Sequence, residues 1–186
     1  MLRPVEQAEA VVEFLRAELD SERFAPALRA ALTEAAADAT LITDADLDDP
    51  AANALRHDVL FAYRGEYLGA WFDELTWYRA ALEPEDVRSI LYIDWDLWLD
   101  VSGGSRRPED AVPRLRAQGE DESYRAIAER VDHAPLVVVR AGEGERLVVV
   151  EGHVRLTAYA FFPERLPPRL EVVLGEGPAV TAWGCY

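Results

Sequence analysis

Residues 147–160 constrain the fold more than any other stretch of this 186-residue chain. Residues 147–150 are aliphatic and mostly β-branched, a composition that favours a buried strand. Gly152 then interrupts the apolar run, and from His153 onward the apolar residues recur at helical spacing. Because glycine accepts turns that a Cβ would block, the pattern predicts a strand that passes through Gly152 into a helix.

The turn in this stretch carries the side chains of a candidate anion site. The first amides of a helix lack internal partners and lie at the positive end of its dipole. We therefore expect the amides of Gly152 and His153, together with the guanidinium of Arg155, to bind a phosphate or carboxylate. Glu151 and His153 flank the turn and can transfer protons, which makes them the catalytic candidates. The same residue types also suit a structural turn, a solvated arginine and a hydrogen-bonding core histidine.

Residues 89–174 alternate between strand and helix signals. Strands are predicted at 89–96, 135–140, 147–151 and 170–174, and helices at 109–118 and 121–130. Between the first strand and the first of these helices, residues 102–108 form a glycine-containing basic loop. In this loop, Arg106 and Arg107 are either phosphate-binding residues or solvated surface charges.

Residues 1–88 have a different pattern, dominated by helical periodicity. Helices are predicted at 4–20, 26–38, 51–63 and 66–82, with an acidic loop at 44–50. The helix at 66–82 carries an aromatic stripe that includes Trp71, Phe72 and Trp77, which we expect to pack in the core. The change of pattern near Ser89 predicts a helical N-terminal region at 1–88 and an α+β domain at 89–186.

The segment Glu151-Gly152-His153-Val154-Arg155 resembles the phosphate-binding turn of the ParB/sulfiredoxin superfamily, in which a strand runs into a Gly-x-x-Arg helix start. Its acidic-Gly-His-x-Arg form is most similar to the free-serine-kinase branch. The order of strands and helices over residues 89–174 also resembles that superfamily. The resemblance implies an α+β fold with a small mixed sheet over these residues. From the change of pattern near Ser89, we expect the helical N-terminal region to pack on that sheet. The resemblance also implies that the loop with Arg106 and Arg107 lies next to bound phosphates.

The chain departs from each branch of the superfamily at an identifiable position. His153 occupies the position of the catalytic cysteine of sulfiredoxins. The arginine-rich motif and the basic DNA-binding helices of partition proteins do not occur in the sequence. Val154 stands where the serine kinases have a second histidine, and their catalytic glutamate has no aligned counterpart here.

Charge restricts the partners of this chain. The 35 Asp and Glu against 19 Arg and Lys give a formal net charge of −16, which repels phosphate backbones and anionic lipids. We therefore expect binding to neither duplex DNA nor a membrane. Residues 1–88 hold 19 acidic and 8 basic side chains, an excess that suits a protein partner at this acidic helical region. Cys185 is the single cysteine, and neither a signal peptide nor a membrane-spanning run is evident, which predicts a cytoplasmic protein.

Three functional hypotheses follow from these features. The first is a nucleotide-dependent phosphotransferase or nucleotide hydrolase, in which Mg²⁺ bridges the phosphates of a nucleoside phosphate to Glu151 or Asp94. The second is a noncatalytic protein that senses a nucleotide or binds a protein partner through its acidic helical half. The third is a ParB-like nuclease, which would have to overcome the negative charge of the chain.

Overall fold

The computed structural model describes residues 2–130 and 134–186, and a five-stranded mixed β-sheet forms its centre. The strands are β1 (Leu2–Val5), β2 (Thr76–Leu82), β3 (Leu136–Arg140), β4 (Val148–Glu151) and β5 (Leu170–Glu176). They lie in the order β1-β2-β5-β3-β4, where β5 runs parallel to β3 and the other neighbouring pairs are antiparallel. The predicted α+β class with a small mixed sheet is confirmed.

Helices cover both faces of the sheet. They are α1 (Gln7–Leu19), α2 (Ala25–Glu34), α3 (Thr40–Thr43), α4 (Pro50–Leu68), α5 (Pro84–Ser89), α6 (Asp96–Val101), α7 (Pro108–Ala117), α8 (Asp121–Glu129) and α9 (His153–Phe161). Within the described residues, none of these helices is long and apolar enough to span a bilayer.

Alternation along β3 produces two separate hydrophobic cores. Val137 and Val139 point into the core formed with α1, α2 and α4, and Leu136 and Val138 point into the core formed with α7, α8 and α9. Successive side chains of a strand face opposite sides of a sheet, so a strand covered on both sides is apolar throughout. The sheet is therefore the middle layer of three.

Two of the predicted N-terminal helices are partly wrong, because the sheet recruits residues from both. Pro4 lies in β1 opposite Tyr78 of β2, not at a helix start, and an edge strand tolerates proline because one side needs no amide donor. The predicted helix at 66–82 is divided. α4 ends at Leu68, a 3₁₀ turn covers Ala70–Glu74, and Thr76–Leu82 forms β2. The aromatic stripe is nevertheless buried as expected, with Trp71, Phe72 and Trp77 at most 5% exposed.

The predicted strand at 89–96 is also wrong in extent. α5 ends at Ser89, α6 begins at Asp96, and between them Leu91 makes an isolated parallel bridge to Val148 at the β4 edge. The expectation of a purely helical region before residue 88 therefore fails, since β1 and β2 belong to the same sheet as the three later strands. The other predicted strands and helices agree with the structure within about five residues, whereas α3, α5 and α6 were not predicted.

Candidate functional site

The turn between β4 and α9 has the predicted form. β4 ends at Glu151, Gly152 adopts the left-handed conformation with φ 102°, and α9 begins at His153. A Cβ on Gly152 would lie 2.3 Å from Cδ2 of Leu136 and 3.0 Å from a guanidinium nitrogen of Arg155. Glycine is therefore required here both for its backbone conformation and for the close approach of β3. No side chain caps the N-terminus of α9.

Glu151 and Arg155 form an ion pair across this turn. The Arg155 guanidinium donates to the Glu151 carboxylate and to the carbonyl oxygen of Ala134, and it lies 3.4 Å from the carbonyl oxygen of Pro135. The two side chains are only 15% and 11% exposed, in that order. Burial raises the pKa of the Glu151 carboxyl, and the positive charge of Arg155 opposes that rise. The pair thus anchors the start of α9 to the chain just before β3.

A second buried ion pair lies beside the first. Glu18 of α1 accepts hydrogen bonds from the Arg64 guanidinium and, at 2.7 Å, from the Tyr63 hydroxyl, both on α4. Glu18 and Arg64 lie close enough for their charges to act on the carboxyl of Glu151. The charges of two carboxylates and two arginines are therefore coupled where the N-terminal helices meet β4 and α9.

This second pair was not predicted from the sequence. Glu18 and Arg64 are 46 residues apart and come from separate helices, so no short motif includes both. The sequence does contain one indication of a buried charge. Glu18 lies three residues after Leu15 and seven after Val11, a spacing that places it on the apolar side of α1. A charged residue at such a position needs a buried partner.

His153 stacks on an aromatic pair formed by Trp98 of α6 and Tyr92 of the segment between α5 and α6. Its ring centroid is 5.0 Å from that of Trp98 with nearly parallel planes, and Trp98 in turn stacks on Tyr92 at 4.4 Å. The Nε2 atom is buried and has no hydrogen-bonding partner among the described residues. Burial, together with the positive charges of Arg155 and Arg64, lowers the pKa of His153 to about 3. The imidazole is therefore neutral near pH 7.

The three remaining predicted site residues, Arg106, Arg107 and Asp94, have their hydrogen bonds and ion pairs with residues other than those of this turn. Arg106 donates from its guanidinium to the carbonyl oxygens of Tyr92 (2.8 Å), Tyr186 (2.9 Å) and Cys185 (3.3 Å). These bonds make Arg106 a structural link to the last residues of the chain. Arg107 is half-exposed and lies 3.5 Å from the Glu109 carboxylate.

Glu151 and Asp94, the two alternatives predicted for a magnesium ligand, have different surroundings. The backbone amide of Asp94 donates to the carbonyl of Cys185, and its side chain is exposed there, whereas the Glu151 carboxylate is paired with Arg155. Among the described residues, no group of three or more His, Cys, Asp and Glu is placed to hold a metal ion.

Comparisons of the chain with models of protein families, with curated proteins and with solved structures give no match.

Proposed function

We propose that this chain is a ParB/sulfiredoxin-like protein that binds a nucleoside phosphate, or another small phosphate-bearing molecule, at the turn of residues 151–155. The observation that carries this proposal is the strand-to-helix turn through a left-handed Gly152, with an uncapped helix start. The buried Nε2 of His153, which has no hydrogen-bonding partner among the described residues, is a second unsatisfied polar group at this turn.

The physical basis is the positive potential at the start of α9. Its first amides have no side-chain acceptor, and the dipole of a nine-residue helix adds to the attraction for an anion. Val154, in the first turn, is 45% exposed, so this end of the helix is open to solvent. In a chain of net charge −16, this point is a local exception that attracts a phosphate.

Phosphoryl transfer or hydrolysis at this turn would use Glu151. A phosphate oxygen that accepts from Arg155 competes with Glu151 for the same guanidinium and releases the carboxylate. Burial raises the pKa of Glu151, which brings it closer to neutral pH and makes the released carboxylate a better general base for an attacking hydroxyl or water. The low pKa of His153 makes the imidazole a weaker base, suited to hydrogen bonding.

Binding without chemistry is the second candidate, and a specific observation favours it. The Glu151 carboxylate is already committed to Arg155, and His153 cannot take up a proton near pH 7. A turn with these two properties holds a ligand without a free proton-transfer group. In that case the chain is a nucleotide sensor.

A ligand panel tests the binding proposal. The melting temperature is measured with ATP, ADP, CTP, GTP and inorganic phosphate, each with Mg²⁺, since a ligand at 100 times its Kd stabilises the native state by about 2.7 kcal/mol. Val154→Glu places a carboxylate at the helix start and should abolish the shift, while it also favours the helix dipole and so leaves the fold intact. Val154→Gln is the neutral control and should keep the shift. If no ligand raises the melting temperature, or if Val154→Glu keeps the full shift, the proposal is wrong.

Turnover separates the two candidates. Release of phosphate, or appearance of a phosphorylated product, is followed with each nucleotide that binds. Glu151→Gln should retain binding and lose turnover if the carboxylate is the base. Binding with no turnover in the unmodified protein identifies the sensor.

A further inference from the structure

A cavity of about 280 Å³ lies beside the Arg155 side chain, on the side of α9 that also carries Tyr159. Its wall brings together residues from β2, β3, α9 and the chain just before and within β5. The charged members are four arginines and one carboxylate: Arg79, Arg130, Arg155, Arg169 and Glu171. This wall reverses the charge balance of the chain as a whole, in which acidic residues outnumber basic ones by 35 to 19.

The carboxylates that pair with these arginines come mainly from outside the cavity wall. Arg79 is held by Glu9 and Glu13 of α1, and Arg155 is held by Glu151. None of these three glutamates is among the residues that line the cavity. An arginine that is already held by an ion pair loses little further side-chain freedom when its other N–H groups bind a ligand, and this favours tight binding.

Arg169 differs from the other arginines of the cavity in its freedom. Its side chain is 68% exposed, and its nearest described carboxylate, Glu83, is 3.8 Å away, beyond hydrogen-bonding distance. Its guanidinium can therefore turn to a ligand without breaking a strong internal contact. Glu171, the single carboxylate of the wall, has a side chain that is 71% exposed and accepts a hydrogen bond of 3.4 Å from the Arg79 guanidinium.

The rest of the wall is apolar and sets the size of the ligand. Pro135, Leu136, Pro167 and Leu170 contribute hydrocarbon surface, and Tyr159 adds an aromatic ring. Ligand pockets range from about 300 to 1,000 Å³, so this cavity belongs to the small end. It suits a short carbon skeleton with a compact doubly charged group better than a complete nucleoside triphosphate.

We propose that this arginine-lined cavity is a binding site for a small dianion, either a phosphomonoester or a dicarboxylate. The planar guanidinium fork matches both phosphate and carboxylate oxygens, and several such groups around one cavity neutralise two negative charges. The site shares Arg155 with the proposed turn site but uses none of the α9 amides, so the two proposals can fail separately.

Isothermal titration with three probes tests the cavity. Glycerol 3-phosphate, succinate and inorganic phosphate are titrated separately, and they distinguish a phosphomonoester site, a dicarboxylate site and a site for the bare ion. We expect one of the two organic dianions to bind more tightly than inorganic phosphate, because only these contact the apolar wall. Failure of all three to bind at millimolar concentration, or tightest binding of inorganic phosphate, overturns the proposal.

Matched variants locate the binding. Arg169→Ala should weaken the preferred probe about tenfold or more, through loss of a charge-assisted contact. Arg165→Ala removes a half-exposed arginine that is paired with Glu129 outside the cavity, and it should leave the affinity unchanged. Glu171→Gln removes the one carboxylate of the wall and should tighten binding several-fold. Equal effects of Arg169→Ala and Arg165→Ala, or weaker binding in Glu171→Gln, would contradict the assignment.

Val154→Glu keeps this proposal separate from the turn site. The substitution lies outside the cavity wall, so it should leave the affinity for the preferred dianion unchanged. Loss of dianion binding in Val154→Glu, with Arg169→Ala unaffected, would move the binding to the turn and refute the cavity site.

Discussion

Replacing Gly152 with alanine tests the close approach on which the β4–α9 turn is built. The backbone at this position has φ 102°, and a left-handed conformation costs a residue with a Cβ roughly 1–2 kcal/mol. The new Cβ would also lie 2.3 Å from Cδ2 of Leu136, which is 2% exposed and has little room to move. Overpacking of this kind costs about 1–3 kcal/mol. We therefore expect Gly152→Ala to lower the free energy of unfolding by roughly 2–5 kcal/mol.

Gly104→Ala is the matched control for the backbone term. Gly104 has φ 86°, and a Cβ built there meets nothing within 4 Å. The control should therefore lose only the conformational part, about 1–2 kcal/mol. Urea unfolding followed by tryptophan fluorescence measures both variants, and with a slope of about 1–3 kcal/mol per molar urea the difference is a readable shift of the midpoint.

A double-mutant cycle identifies the cause. Leu136→Ala removes the atom that the new Cβ would meet, so Gly152→Ala should cost less in that background than in the unmodified protein. Equal losses for Gly152→Ala and Gly104→Ala would refute the reasoning, since β3 would then yield at no cost. Additive effects in the cycle would show that Leu136 is not the obstacle.

Three further predictions concern charge. Folding lowers the pKa of His153 from 6.5 to about 3, so the free energy of unfolding should fall as the pH drops from 6.5 toward 3, by up to about 1.4 kcal/mol per pH unit. Urea unfolding at several pH values measures this slope, and His153→Gln should reduce it. Glu18→Gln removes the buried negative charge that pairs with the partly buried Arg64 and should cost about 3–5 kcal/mol of unfolding free energy. Replacing both residues with methionine should cost much less. Duplex DNA should produce no mobility shift at submicromolar protein and physiological salt, and a salt-sensitive shift would show that the net charge of −16 does not govern binding.

Local patterns predicted the part of the fold around Gly152. Strands β3, β4 and β5 are short β-branched runs, and the period changes from strand to helix at one glycine, so neighbouring residues carry the whole signal. The sequence predicts a helix over β2 because the aromatic residues at 71, 72, 77 and 78 also fit a helical stripe. Only its pairing with β1 and β5, which lie far away in sequence, selects the strand.

The candidate site likewise contains residues that a local sequence pattern brings together and residues that only the tertiary structure brings together. Glu151, Gly152, His153 and Arg155 are brought together because they are consecutive along one turn. The Glu18–Arg64 pair and the arginines of the cavity come from distant elements, which a linear pattern does not join. The sequence context of Arg106 suits a phosphate-binding residue. In the structure its guanidinium donates instead to the carbonyl oxygens of Tyr92, Cys185 and Tyr186, which only the tertiary structure brings close to it.

The position of β5 in the sheet has a consequence for the order in which the chain can fold. β5 lies between β2 and β3 in the sheet, yet it follows every other strand in sequence. Leu82 of β2, for example, pairs with Leu170, which is synthesised much later. During synthesis the backbone groups of β2 and β3 that face this gap stay unpaired until residues 170–176 leave the ribosome. Such open strand edges can pair with other nascent chains, and pairing between distant residues is slow. A nascent chain that stalls before residue 170 should therefore be prone to aggregation and should need a chaperone, even though the residues of α1 to α9 have all been synthesised by then.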